Sequence, residues 1–174
     1  MTEQLETEKL PSIQIDFTTM LADVKNITEV RQALESALPA LKAEKGIERI
    51  GFVSGRLGKS VDDPELRKRL MKEDETTMKD YIQELRAEYQ FPIFGSPDIF
   101  ISEVWDRLEE AQPSFSQAIK RQKMNELFTA VLTTCGVTDL FSMDTWQDAK
   151  GAIVERGVAQ KNKLTIHDQK PKED

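Results

Sequence analysis

The fold is decided by Val137-Thr-Asp-Leu-Phe-Ser-Met143, then Asp144-Thr-Trp-Gln-Asp148, a segment from Ala149 to Lys161, and Lys163-Leu-Thr-Ile166. Val137 to Met143 follows Gly136 and is a short apolar run, the pattern of a buried strand. Asp144 to Asp148 has turn composition. Residues 149–161 mix Ala, Val and Ile with a charged back face and read as a helix, and Lys163 to Ile166 reads as a further strand. Strand, turn, helix, strand is the repeating unit of a parallel sheet, because parallel neighbours need a crossover between them.

Working outward, Ile50-Gly-Phe-Val53 is a second buried-strand pattern, closed by the glycine-containing turn Ser54-Gly-Arg-Leu-Gly58. The charged residues 59–80 predict a loop and then an exposed helix that continues through Tyr81, Leu85 and Tyr89. Phe91 to Gly95 is a third strand, weakened by Pro92. Ser102 is placed to cap a helix carrying Val104, Trp105 and Leu108, and Pro113 breaks that pattern. A long helical stripe runs through Phe115, Ile119, Met124, Leu127, Phe128, Val131 and Leu132, and Gly136 stops it. Toward the N-terminus, Phe17, Met20, Leu21 and Val24 have helical spacing. Thr28 is placed to cap a second stripe of Val30, Leu34, Ala37, Leu38 and Leu41, which ends near Gly46 and is kinked or split by Pro39.

These readings predict an α/β domain over residues 47–168: a small, mainly parallel sheet with helices on both faces, flavodoxin- or Rossmann-like. A polar tail and helical extension over 1–46 precede it, and a polar tail over 169–174 follows. In such sheets ligands sit at the carboxyl ends of the strands. Two turns there stand out, Ser54 to Gly58 and Asp144 to Gly151.

Composition narrows the function. The chain has 174 residues, of which 39% are hydrophobic and 32% charged, enough to bury a core. A net charge of −7 argues against a nucleic-acid polymer as partner, since phosphate binding needs clustered Lys and Arg. No apolar run approaches the ~20 residues of a membrane span. Acidic residues stand at the N-terminus where a secretory signal has basic and apolar ones, and Cys135 is the single cysteine. Both features set the expectation of a cytoplasmic protein with neither disulfide framework nor metal site.

In the predicted last helix, Asp148 is placed as N-cap, with Gly151 in the first turn and Glu155 in the second. Four residues apart, they share a face. Gly151 leaves space beside the Glu155 carboxylate, and Ala152, Ile153, Val154, Val158 and Ala159 make its surroundings apolar. A carboxylate kept in a partly dry place is costly and marks a functional candidate. The plainer reading is a solvated acid paired with Arg156 or a neighbouring lysine.

Ile50 to Gly58, and Val137 to Glu155 followed by Ala159 and Lys163 to Ile166, resemble the two signatures of the nucleoside 2-deoxyribosyltransferase-like family, which includes deoxynucleoside monophosphate N-glycosidases. The likeness spans roughly residues 47–168 in order and spacing. It implies cleavage or transfer at the N-glycosidic bond of a deoxyribonucleoside or its 5′-monophosphate, without a cofactor, in a homo-oligomer. Glu155 matches the family nucleophile that attacks C1′, where an anion stabilises an oxocarbenium-like transition state. Ser54, Gly55 and Arg56 match the turn lying against the sugar and its phosphate. Asp144, Trp146, Asp148 and Gly151 belong to the second signature, with Trp146 placed to stack on a base or to pack under the turn. Asn125 or Glu126 stands nearest to a further family acid on the helix before the third strand.

The chain also departs from the family. Six residues before Glu155 the family carries an Asp or Ser that holds the 5′ end of the sugar, and here that position is Ala149. A tyrosine that several members carry near the first strand is missing here, with Phe52 nearby. The alternative is therefore a non-catalytic nucleotide-binding module on the same fold, and a third reading is an interaction protein that uses its N-terminal helices. His167, the only histidine, is expected to be an exposed residue at a strand end. Arg67, Lys68, Arg69 and Lys72, flanked by acids, read as a solvated face.

Overall fold

Four strands pair side by side, all parallel, in the order β2-β1-β3-β4. They are β1 Gly51–Ser54, β2 Ile93–Gly95, β3 Asp139–Ser142 and β4 Thr165–Asp168. This is a computed structural model, and it describes residues 13–57, 61–112 and 121–172. Among them are seven α-helices: α1 Phe17–Met20, α2 Ile27–Lys45, α3 Pro64–Glu88, α4 Ser96–Ile99, α5 Ser102–Ala111, α6 Arg121–Thr134 and α7 Lys150–Lys161. The architecture is the small α/β Rossmann-like sheet expected from the alternation of strands and helices. Residues 1–10, Gly58, Phe115 and Ile119, which entered the sequence reading, lie outside the described residues.

Alternation along the strands divides the core in two. Phe52, Phe94 and Leu140 point to one face, where Val30, Leu34 and Leu38 of α2 and Leu127 and Val131 of α6 cover them. Val53, Ile93 and Phe141 point to the other, under Met78, Ile82 and Leu85 of α3. The central strands β1 and β3 are buried throughout, as strands covered on both faces must be. The helices of residues 17–45 thus pack directly on the sheet, and each fully buried aliphatic side chain among them adds about 1.5–3 kcal/mol. Among the described residues no helix is long and apolar enough to cross a membrane.

Several local expectations shift. Asn26, not Thr28, caps α2: its side chain accepts from the Glu29 N–H at 2.9 Å, and Ile27 already lies inside the helix. α2 runs unbroken through Pro39, with Leu34 and Leu38 buried in the same core just before it. Ser102 is the first residue of α5 rather than its cap, which is Ile101. Ala149 takes the N-cap position of α7 in place of Asp148, which ends a 3-10 turn over Trp146–Asp148. β1 and β4 begin one and two residues later than their apolar runs, because the ladder pairs Gly51 with Asp139 and Asp139 with Thr165.

His167 is not an exposed strand-end residue. Its ring stacks on Phe141 with centroids 4.4 Å apart, and its Nε2 lies 2.8 Å from the Asp139 carboxylate. Register explains this, since Phe141 and His167 are paired neighbours on one sheet face. The basic cluster of α3 is exposed, as expected for a solvated face.

Because α2 is part of the sheet's own core, Leu34→Ala should lower the unfolding free energy by about 3 kcal/mol. Urea denaturation followed by far-ultraviolet circular dichroism reads this. A loss below about 0.5 kcal/mol would mean that α2 is an appendage.

Candidate functional site

The chain passes from β1 to β2 on one side and returns to β3 on the other, so the switch point of the sheet lies between the carboxyl ends of β1 and β3. Ser54 ends β1 and Ser142 ends β3, and the two are register partners. Gly55 follows Ser54. A Cβ at Gly55 would lie 2.6 Å from Met143 Sδ and 2.9 Å from Met143 Cβ, so only glycine lets the two strand ends approach this closely.

Over this point stands α7, packed against β1, β3, β4 and α6. Glu155 is buried on its inner face, and its Oε2 accepts a short hydrogen bond from the Ser54 hydroxyl. Burial pushes the Glu155 carboxyl up to about 7, and the Ser54 hydrogen bond only partly opposes the rise. The dryness has a different source from the one expected. Ile153 and Val154 face outward, 46% and 41% exposed, while Ala152 and Ala159 lie inward with Glu155. A carboxyl titrating near neutrality is available both as an anion and as an acid at physiological pH.

Glu155 also borders a cleft of about 1860 Å³ whose wall includes Gly55, Asn125, Phe128, Ala149 and Gly151. Gly151 leaves room there: a Cβ on it would meet only Asn125 Oδ1, at 3.7 Å. The N-cap Ala149 offers no side-chain acceptor, so the first N–H groups of α7 are left without a side-chain cap.

The remaining candidates divide. Arg56 borders the cleft, but its guanidinium is held by Asp74 of α3, Nη2 to Oδ1 at 3.1 Å and Nε to Oδ2 at 3.1 Å. That carboxylate keeps Arg56 more firmly protonated than usual. Asp148 is exposed at the rim of the cleft. Trp146 does not line it; its ring carries the Arg156 guanidinium, 4.4 Å from the centroid, and Arg156 in turn pairs with Asp168 at 2.5 Å. Asp144 is exposed, and its N–H donates to Gln169 Oε1 at 3.1 Å. Glu126 is exposed on α6 and accepts from Gln122 at 3.2 Å, whereas its neighbour Asn125 faces the cleft. Adjacent helix residues point about 100° apart, so only one of the two faces the cleft.

Sequence reasoning missed Asp74, Ser142 and Phe128. Asp74 stands in a charged helix with nothing to single it out. Ser142 had a readable signal, since Val-Ser-Gly after β1 and Phe-Ser-Met after β3 put a serine at equivalent strand ends. Among the described residues no three His, Cys, Asp or Glu side chains converge to hold a metal ion. Among known proteins, no family model, curated protein or solved structure matches the chain.

The raised carboxyl has a thermodynamic sign. Between its unfolded value of 4.5 and its folded value of about 7, the folded protein binds more protons than the unfolded chain, so stability falls as pH rises. Glu155→Gln removes this cost while keeping an acceptor for Ser54. The variant should exceed the parent by on the order of 3 kcal/mol at pH 8, with the gain fading toward pH 4.5. Urea unfolding across that range tests it. A difference independent of pH would refute the raised carboxyl.

Proposed function

We propose that the cleft takes a deoxyribonucleoside or its 5′-monophosphate and that Glu155 cleaves its N-glycosidic bond. The observation that carries the reading is a buried carboxyl at the β1–β3 switch point, bordering a cleft and hydrogen-bonded by a strand-end serine. The resemblance of residues 50–58 and 137–166 to deoxyribosyltransferase-like signatures supports it.

In this reading the ionised Glu155 attacks C1′. The C1′–N bond breaks, its electron pair leaves with the base, and the base takes a proton from water in the cleft. A second water, or an acceptor base, then attacks C1′ while giving its proton to the hydroxide left by the first step, and the C1′–O bond to Glu155 breaks to free the carboxylate. Ser54 holds the attacking carboxylate in one orientation. The uncapped N–H groups of α7 suit a hydroxyl or anionic group of the ligand. Arg56, tied to Asp74, keeps the turn after β1 in place. Packing of the sugar ring against Phe128 and Asn125 excludes bulk water from C1′.

A second reading has its own support. Ala149 borders the cleft and presents a methyl group where a 5′ anchor is needed. On that ground the cleft binds a nucleotide without turnover.

Incubation with the common 2′-deoxynucleosides and their 5′-monophosphates, read by chromatography of free base, separates the two. Release by the parent and a loss of at least 100-fold in Glu155→Ala is expected. Ligand-induced thermal stabilisation with no free base from any substrate would leave the binding module in its place.

A further inference from the structure

The Ser54 hydrogen bond uses one hydroxyl at the switch point, and a second hydroxyl stands beside it. Ser142 is 1% exposed, and its Oγ has no hydrogen-bond partner among the described residues. Buried hydroxyls in folded proteins are rarely left so, because an unmade hydrogen bond costs most where water cannot replace it.

The location of this orphan is specific. Ser54 and Ser142 are partners in the parallel ladder, about 4.8 Å apart as adjacent strands are. Two residues before them, Phe52 and Leu140 point to the sheet face that also buries Ala159 of α7. Strand alternation therefore turns both serines to that same face, the one under α7. α7, which carries Glu155 to Ser54, also packs against β3, the strand that carries Ser142, and against β4 beyond it. Rotation about one side-chain bond re-aims a serine hydroxyl, which both donates and accepts.

We propose that Ser142 is a second positioning residue for Glu155, its hydroxyl turning to donate to the carboxylate whenever Glu155 is ionised. Ser54 and Ser142 then clamp the two carboxylate oxygens from neighbouring strand ends. When Glu155 is protonated, Ser142 makes no bond to it.

Among the described residues no charged group takes this role. Asp139 points to the opposite sheet face, toward Arg49 and His167. Arg56 is tied to Asp74, and Arg156 of α7 is tied to Asp168. Asp148 and Lys150 are exposed at the helix entrance, and α6 presents the uncharged Asn125.

The inference rests on the proposed function only for its catalytic consequence, because the hydrogen bond itself can be read without turnover. The carboxyl carbon of Glu155, labelled with 13C and assigned by its loss in Glu155→Gln, is titrated by NMR in the full chain. Ser142→Ala removes a donor to the ionised form and should raise the midpoint by about one pH unit. Ser142→Cys, a weaker donor of similar size, should raise it less, and Ser142→Thr, which keeps the hydroxyl, should leave it near the parent value. If base is released, the acid limb of its pH–rate profile should move by the same amount in each variant. An unchanged midpoint in Ser142→Ala overturns the inference, as does a rise in Ser142→Thr equal to that in Ser142→Ala, which would assign the effect to packing. A shifted midpoint without base release from the parent would keep the clamp and discard the enzyme.

Discussion

The hydrogen bond from Ser54 to Glu155 joins residues 101 positions apart and ties the first strand of the sheet to the last helix. Everything near the cleft is arranged around it. Glycine at 55 lets the chain after β1 pass against Met143. The chain then turns through Arg56, anchored to α3 by Asp74, and the wall of α7 stands opposite. A single carboxylate thus joins the turn after β1 to the helix after β3, two segments that border the cleft.

Comparison with Asp139, the other buried carboxyl among the described residues, shows why Glu155 stands apart. Asp139, at the amino end of β3, is also buried, and burial raises its carboxyl. Arg49, His167 and Thr138 together more than reverse this and hold it below the usual range. Such a carboxylate is charged at every physiological pH and serves structure. Glu155 has a hydroxyl where Asp139 has a guanidinium, an imidazole and a hydroxyl, so its charge is left under-compensated. An uncompensated buried acid costs the fold stability as pH rises from its unfolded to its folded pKa, and persistence of that cost is what functional carboxyls share.

The parallel α/β sheet, and a carboxylate on the helix after its third strand, were legible because they follow from local pattern. Apolar runs ending in Ser-Gly or Ser-Met marked β1 and β3, and a run of Ala, Val and Ile broken by Glu155 marked α7. Long-range consequences were not legible. Whether Asn125 or Glu126 faces the cleft depends on the rotation of α6 against α7. Arg56 was expected to face the ligand, yet it is claimed by Asp74, eighteen residues on. Trp146 was a stacking candidate, and Arg156 occupies its face instead. In each of these cases the deciding partner lies on another element, where spacing along the chain carries no information.

The central claim is that Glu155 is the reactive carboxyl of a glycosyl-transferring cleft. Acid quenching during incubation with a 2′-deoxynucleoside, followed by proteolysis and mass spectrometry, tests it most directly. The account predicts a deoxyribosyl group esterified to Glu155. A deoxyribosyl group on any other residue, or an unmodified Glu155 peptide at every time point, would contradict it.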